Sequence, residues 1–335
     1  MVERTAPPAE IKLTDERGEL PLLKGYLETL MSGLRLAATP DDATDSGQMP
    51  ERVFEVLTSR DFCYLSKTRV APYRPSILAH VVESQRRASP IHFFYDLGGG
   101  YHASTRPGLE ELSFEVGLAE LFVLSQISSF SARATRFYPH GVRFSLVIDN
   151  MCALLINDIP LSSTLAYCDK LRRLIRELRL DAVVDVLVES EHISTSDFDR
   201  AQDHATTDAH PLDLTRKQHD NVERFLGRPC DETEASERTR KYLSVIDVSE
   251  RLLQPLIEGV HMTQRATDTT ICFRPFPGAD SRIQCGEVVL TKNNKEKLHP
   301  ILMTSSNRRG YSCRRYRFPD LFSTISHVTY AELTP

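Results

Sequence analysis

Apolar residues in this chain follow two rhythms. Short runs that are apolar at nearly every position predict strands: Ile91-His92-Phe93-Phe94-Tyr95, residues 142–148 and residues 182–188. Between them, apolar residues recur every three or four positions, which predicts helices over 107–131 and 164–178. Strands without polar alternation are buried on both faces. Their alternation with helices predicts βαβ units, that is, a Rossmann-like α/β core with a mostly parallel sheet and helices on both faces. Glycines break the first strand at Asp96-Leu97-Gly98-Gly99-Gly100. Pro107 and the pair Glu110-Glu111 open the next helix, with carboxylates suited to the positive end of its dipole. Ser162 or Ser163 is placed to cap the helix of 164–178.

The flanks carry weaker patterns. Helices are predicted at 20–34, 50–58 and 75–87, with a turn-rich polar stretch at 37–47. After Glu189, a cap at Ser194-Thr195-Ser196-Asp197 introduces a helix and 202–211 reads as loop. Helices are predicted at 213–226 and 236–259, and strands at 269–274, 287–291 and 301–304. The expected organisation is a helical leader (1–88), the α/β core (89–262) and a smaller strand-rich α+β part (263–335) packing on it.

Composition narrows the function classes. The chain has 335 residues, 41% hydrophobic and 26% charged, which is ordinary globular material. A net charge of -5 excludes a molecule that is basic overall, so a nucleic-acid partner is not expected and any basic contact is local. Runs of about 18 apolar residues, which a membrane helix needs, are missing, and the first residues lack a signal-peptide core. Seven cysteines are spread without a Cys-x-x-Cys pair, so neither a zinc ribbon nor a disulfide framework is signalled. A cytoplasmic protein with buried, reduced thiols is the expectation.

Candidate chemistry clusters at the strand ends. In an open α/β sheet the ligand crevice lies at the carboxyl ends of the strands. There the sequence places Asp96, Gly98, Gly99 and Gly100 after the first strand, Asp149 and Asn150 after the second, and Glu189 and Glu191 after the third. Tyr95, His102, Ser104 and Arg106 flank the glycines as further binding candidates. A tight turn explains the glycines equally well. An acidic residue followed by glycines also looks like the S-adenosylmethionine loop of class I methyltransferases. A carboxyl-terminal basic cluster that includes Arg314 and Arg315 suits phosphate or carboxylate, against the default of a solvated face. His204, Asp208 and His210 share one polar stretch whose spacing matches no strong metal signature, and a surface loop is the better account.

Residues 90 to about 190 resemble the isonitrile synthase family, which includes pyoverdine-cluster and spore-wall dityrosine-type proteins. The resemblance rests on Pro90-Ile91-His92-Phe93-Phe94, Pro107-Gly108-Leu109-Glu110-Glu111-Leu112, Phe137-Tyr138-Pro139-His140-Gly141-Val142-Arg143, Ile148-Asp149-Asn150 and Tyr167. Two family features differ. A Phe-Lys-Ser turn is replaced by Gly98-Gly99-Gly100-Tyr101-His102-Ala103-Ser104, and Ser-Asp-Gly has become Ile148-Asp149-Asn150. The resemblance implies an enzyme that condenses an amino acid's α-amine with ribulose 5-phosphate and converts it to an isonitrile or related product. It implies no redox cofactor or metal. His102, Asp149, Glu189 and Glu191 would then be the catalytic candidates, with Arg106, Arg314 and Arg315 for the phosphate. A homodimer is compatible with this reading. Two alternatives stay open: an S-adenosylmethionine-dependent transferase using residues 96–100, and a non-catalytic RNA- or partner-binding protein using the carboxyl-terminal arginines.

Overall fold

The computed structural model describes residues 18–34, 48–97, 115–157, 159–205, 219, 222–223, 229–262, 273–274, 287–293, 297–303 and 310–334. Nearly continuous apolar stretches form strands β1 (Ile91–Asp96), β2 (Val142–Ile148) and β3 (Val184–Val188). They pair in parallel in the order β3-β2-β1, and a two-residue strand β4 (Val260–His261) joins the free side of β1. The alternation of side chains divides this sheet's surroundings into two cores. Phe93, Tyr95, Phe144, Leu146 and Ile148 join one; Phe94 and Val147 join the other.

Helices cover both faces. Helices α1 (Glu19–Ser32), α2 (Met49–Leu57), α3 (Lys67–Val70) and α4 (Arg74–Arg86) precede the sheet. They bury Leu23, Leu27, Val53, Leu57, Ile77 and Val81 in the larger core, which runs without a break to Tyr330 of the carboxyl-terminal part. Helix α5 (Leu118–Thr135) lies in that core, buried on nearly all sides. Its Phe130 meets Phe62, Phe93 and Phe144 edge to face, with ring centroids 5.3, 5.2 and 5.7 Å away. The opposite face carries α6 (Asn150–Asn157), α8 (Thr195–Ala205) and α9 (Glu232–Leu253), while α7 (Leu161–Glu177) returns the chain to β3 along the larger core.

Several starts and ends differ from the sequence expectation. The helix start expected at 107 lies outside the described residues; α5 itself begins at Leu118, with Glu115, Val116 and Gly117 before it non-helical and Gly117 as its cap. Glu120 accepts a hydrogen bond from the Gly117 amide at 2.7 Å, so the first-turn carboxylate is Glu120. Helix α7 starts three residues early, with Pro160 as its cap and both serines inside its first turn. Helix α8 runs to Ala205, into the stretch expected to be loop, and α9 ends at Leu253, followed by a 3-10 turn at Gln254–Leu256. Strands β7 (Tyr311–Tyr316) and β8 (Val328–Leu333) were not expected. With β5 (Glu287–Lys292) and β6 (Leu298–Met303) they make a second sheet in the order β6-β5-β8-β7. The result is an α/β core with a smaller strand-rich carboxyl-terminal part.

A buried ion pair fastens that second sheet to the first helix. Arg314 of β7 donates to both oxygens of Glu19, at 3.0 Å through Nε, and to Glu332 at 2.9 Å. Tyr316 donates its hydroxyl to Glu19 as well. Burial works against the Arg314 charge, but its hydrogen bonds to Glu332 and Glu19 outweigh it and hold the guanidinium above its ordinary range. Burial first, and then the bond to Glu19, pushes the Tyr316 hydroxyl up to about 12.

Two stability outcomes follow. A Cβ on Gly259 would sit 2.6 Å from the His92 carbonyl oxygen and 2.9 Å from the Phe94 ring. Gly259→Ala should therefore cost on the order of 1–3 kcal/mol in urea denaturation; an unchanged midpoint would contradict the close approach of β4 to β1. Arg314→Met leaves Glu19 buried without its cation and should cost roughly 3 kcal/mol, whereas Arg314→Met combined with Glu19→Leu should recover most of that loss. Equal losses in the single and double variants would show that packing, rather than charge pairing, dominates.

Candidate active site

Parallel pairing sets the geometry of the candidate site. Asp96 pairs with Val147 in register and Ile148 with Val188, so the carboxyl ends of β1, β2 and β3 lie side by side. The Leu97 amide adds one more rung by donating to the Val147 carbonyl at 3.1 Å. Asp96 thus ends β1, while Asp149 and Glu189 directly follow the last residues of β2 and β3 in the same sheet. Strand alternation assigns all three to the face covered by α6 and α9.

Their surroundings differ. Glu189 is fully buried. One carboxyl oxygen accepts from the Met151 amide in the first turn of α6 at 3.0 Å, and the other accepts from the Ser249 hydroxyl of α9. Asn150 is also fully buried: its amide nitrogen donates to Ser190 Oγ at 2.8 Å and Thr164 Oγ1 at 3.3 Å, and its oxygen accepts from the Ser190 amide at 2.9 Å. Glu189 and Asn150 therefore stitch the end of β2 to the end of β3. Glu191 points elsewhere, with both oxygens on Arg172 of α7 at 2.8 and 2.7 Å. Asp96 and Asp149 are half-buried. Asp149 stands where β2 passes directly into α6, its carbonyl accepting from the Ala153 amide at 3.2 Å.

Other candidates fall in three places. Tyr95 is buried, its ring packed edge to face on Phe273 with centroids 5.7 Å apart. Gly98, Gly99, Gly100, His102, Ser104 and Arg106 lie outside the described residues, as do Asp208 and His210 and the side chain of His204. Arg314 and Arg315 sit on β7 of the second sheet, and Arg314 is held by Glu19 and Glu332.

The residues just before α5 are anchored to α7. Tyr167 of α7, fully buried, donates to Glu120 at 2.8 Å, and Glu120 in turn holds the Gly117 amide. Burial, with the Glu120 charge added, keeps the Tyr167 hydroxyl well above its ordinary range, so it acts as a donor. Lys170 pairs with Glu115 at 2.6 Å one turn further along α7. Tyr167 and Lys170 therefore fix the residues that lead into α5.

Two further groups escaped the sequence reading. His261 of β4 is buried on the same face as Phe94, stacked on its ring at 5.6 Å, with Nε2 3.1 Å from the Ile257 carbonyl oxygen. Arg274 has a buried Nε with no hydrogen-bond partner among the described residues, and its backbone amide donates to the Phe62 carbonyl at 2.7 Å. Its neighbour Phe273 donates its amide to Met262, the residue after β4, and carries the ring that meets Tyr95. A cation at this position is suited to an anionic group. The signal that could have found both residues is the short apolar context of Val260-His261-Met262 and Ile271-Cys272-Phe273.

The arrangement offers two half-buried carboxyl groups at neighbouring strand ends, which can bind an amine or move a proton. The fold is similar to that in the crystal structure of the PvcA protein from Pseudomonas aeruginosa, with a TM-score of 0.58 and 15% sequence identity over 84% of this chain and 99% of that one. No family profile matches the chain, and no curated protein matches it in sequence. At this identity the likeness establishes a shared fold: a parallel four-stranded α/β core with a smaller strand-rich part.

Proposed function

We propose that this protein is a biosynthetic enzyme of the isonitrile synthase type. Its substrates are an amino acid and a sugar phosphate, ribulose 5-phosphate. The observation that carries the proposal is the placement of Asp96 and Asp149, half-buried, at the carboxyl ends of adjacent parallel strands. The fold likeness to PvcA and the motifs across residues 90–190 support the same reading.

The chemistry sets clear demands. The amine must be held close to the sugar ketone and freed of its extra proton. Water must leave as the imine forms, and a second proton must be removed before carbon–carbon cleavage. Asp149 is assigned to the amine and its proton, with His102 as partner: imidazole transfers protons near neutral pH, although it does not hold the permanent charge of the family's lysine. Asp96 assists from the neighbouring strand. Glu189 and Asn150 act as positioning residues that keep Asp149 at the junction of β2 and α6. The phosphate is assigned to Arg106 and Arg274, the second because its Nε is buried without a hydrogen-bond partner among the described residues. No step requires a redox cofactor or a metal.

The strand order β3-β2-β1-β4 and an acidic residue at the end of β1 are also compatible with an S-adenosylmethionine-dependent transferase. Calorimetry separates the two readings, since the isonitrile route uses no such cofactor.

The direct test is incubation of the purified protein with ribulose 5-phosphate and a panel of amino acids, with products followed by mass spectrometry. At least one amino acid should gain a single sugar-derived carbon on nitrogen; no adduct with any of them would contradict the proposal. Asp149→Asn should lower turnover by about 100-fold or more at unchanged melting temperature. Glu189→Gln should instead lower stability by about 1–3 kcal/mol, because it alters a fully satisfied buried carboxyl group. The reverse assignment of losses would exchange their roles.

A further inference from the structure

Among the described residues, His219, Glu223 and Cys230 bring an imidazole nitrogen, a carboxyl oxygen and a sulfur within 4.8 Å of one another. All three are half-buried. His219 and Glu223 are helical residues four positions apart, the spacing that puts two side chains on one face. His219 Nδ1 stands 3.9 Å from Glu223 Oε1. The Cys230 backbone amide donates to that same oxygen at 3.2 Å, orienting the carboxyl group from behind. Cys230 directly precedes Asp231, whose side chain caps α9 by accepting from the Glu234 amide at 2.8 Å.

We propose that His219, Glu223 and Cys230 form a zinc site. Sulfur with imidazole and carboxylate is a donor set that suits zinc and disfavours magnesium or calcium, which take oxygen ligands. Tetrahedral zinc with ordinary bond lengths sets its ligand atoms roughly 3.3–3.8 Å apart, so the trio needs to close by about 1 Å. Three protein ligands leave the fourth position for water. The site lies on the connection between α8 and α9, and α9 supplies the Ser249 hydroxyl that holds Glu189. Zinc here fastens that connection to the amino end of α9 and is a structural element, independent of the chemistry assigned to Asp149.

The test uses the full chain, stripped with a chelator and titrated with zinc alone and with cobalt as a spectroscopic probe. The wild-type protein should take up one zinc per chain. With cobalt it should show intense tetrahedral visible bands and a thiolate-to-cobalt charge-transfer band. Cys230→Ser should lose the charge-transfer band, and Glu223→Gln should weaken zinc binding roughly tenfold or more. Zinc should also raise the melting temperature of the wild type and leave that of Cys230→Ser unchanged. If the wild type binds no more metal than Cys230→Ser, or if the charge-transfer band survives that substitution, the site is refuted. Far-ultraviolet circular dichroism of each metal-free variant confirms that loss of binding is not loss of fold.

Discussion

The carboxyl edge of the parallel sheet depends on one buried acid. Glu189 sits fully enclosed at the end of β3 and accepts hydrogen bonds from the first turn of α6 and from Ser249 of α9. Burying a carboxyl group is costly unless its oxygens are satisfied. A helix amino end is a favourable partner because its unpaired amides and dipole both suit an acid. That single residue therefore ties a strand, the short helix after β2 and the long helix over the sheet to one point. Asn150 repeats the stitch in the other direction, from the end of β2 to Ser190. Together they fix the junction of β2 and α6 at which Asp149 stands.

The rest of the molecule is bolted to that edge by similar devices. Tyr167, Glu120 and Gly117 form a chain of hydrogen bonds from α7 to the start of α5. Glu177 at the end of α7 accepts from the Ser323 and Thr324 amides and so fixes the approach to β8. Arg314 with Glu19 joins the second sheet to the first helix across most of the sequence. Tyr167, Glu120 and Glu19 are buried, and the aromatic cluster around Phe130 packs the larger core.

Much of the sheet was legible in the sequence because its strands are buried on both faces and so read as continuous apolar runs, within two residues of the observed bounds for β1, β2 and β3. Strand β4 was not, since two residues carry no period. Strand β7, Tyr-Ser-Cys-Arg-Arg-Tyr, was hidden by its arginines: Arg314 is largely enclosed and held by Glu332 of β8 and by Glu19, almost three hundred residues earlier. The same long-range pairing explains why the arginine cluster read as a free basic patch. At the candidate site, the residue types at the strand ends were readable, but their division of labour was not. Glu189 and Asp149 follow equivalent strands, and burial separates them: Glu189 is fully enclosed against Met151 and Ser249, while Asp149 is half-buried.

Under the proposed function, substrates meet at the carboxyl ends of β1 and β2. Hydrogen–deuterium exchange of the full chain, with and without ribulose 5-phosphate and an amino acid, reads that location directly. Exchange should slow in peptides spanning residues 94–97 and 149–153, with little change in β5 to β8. Protection confined to the second sheet, with the strand ends exchanging as before, would contradict it.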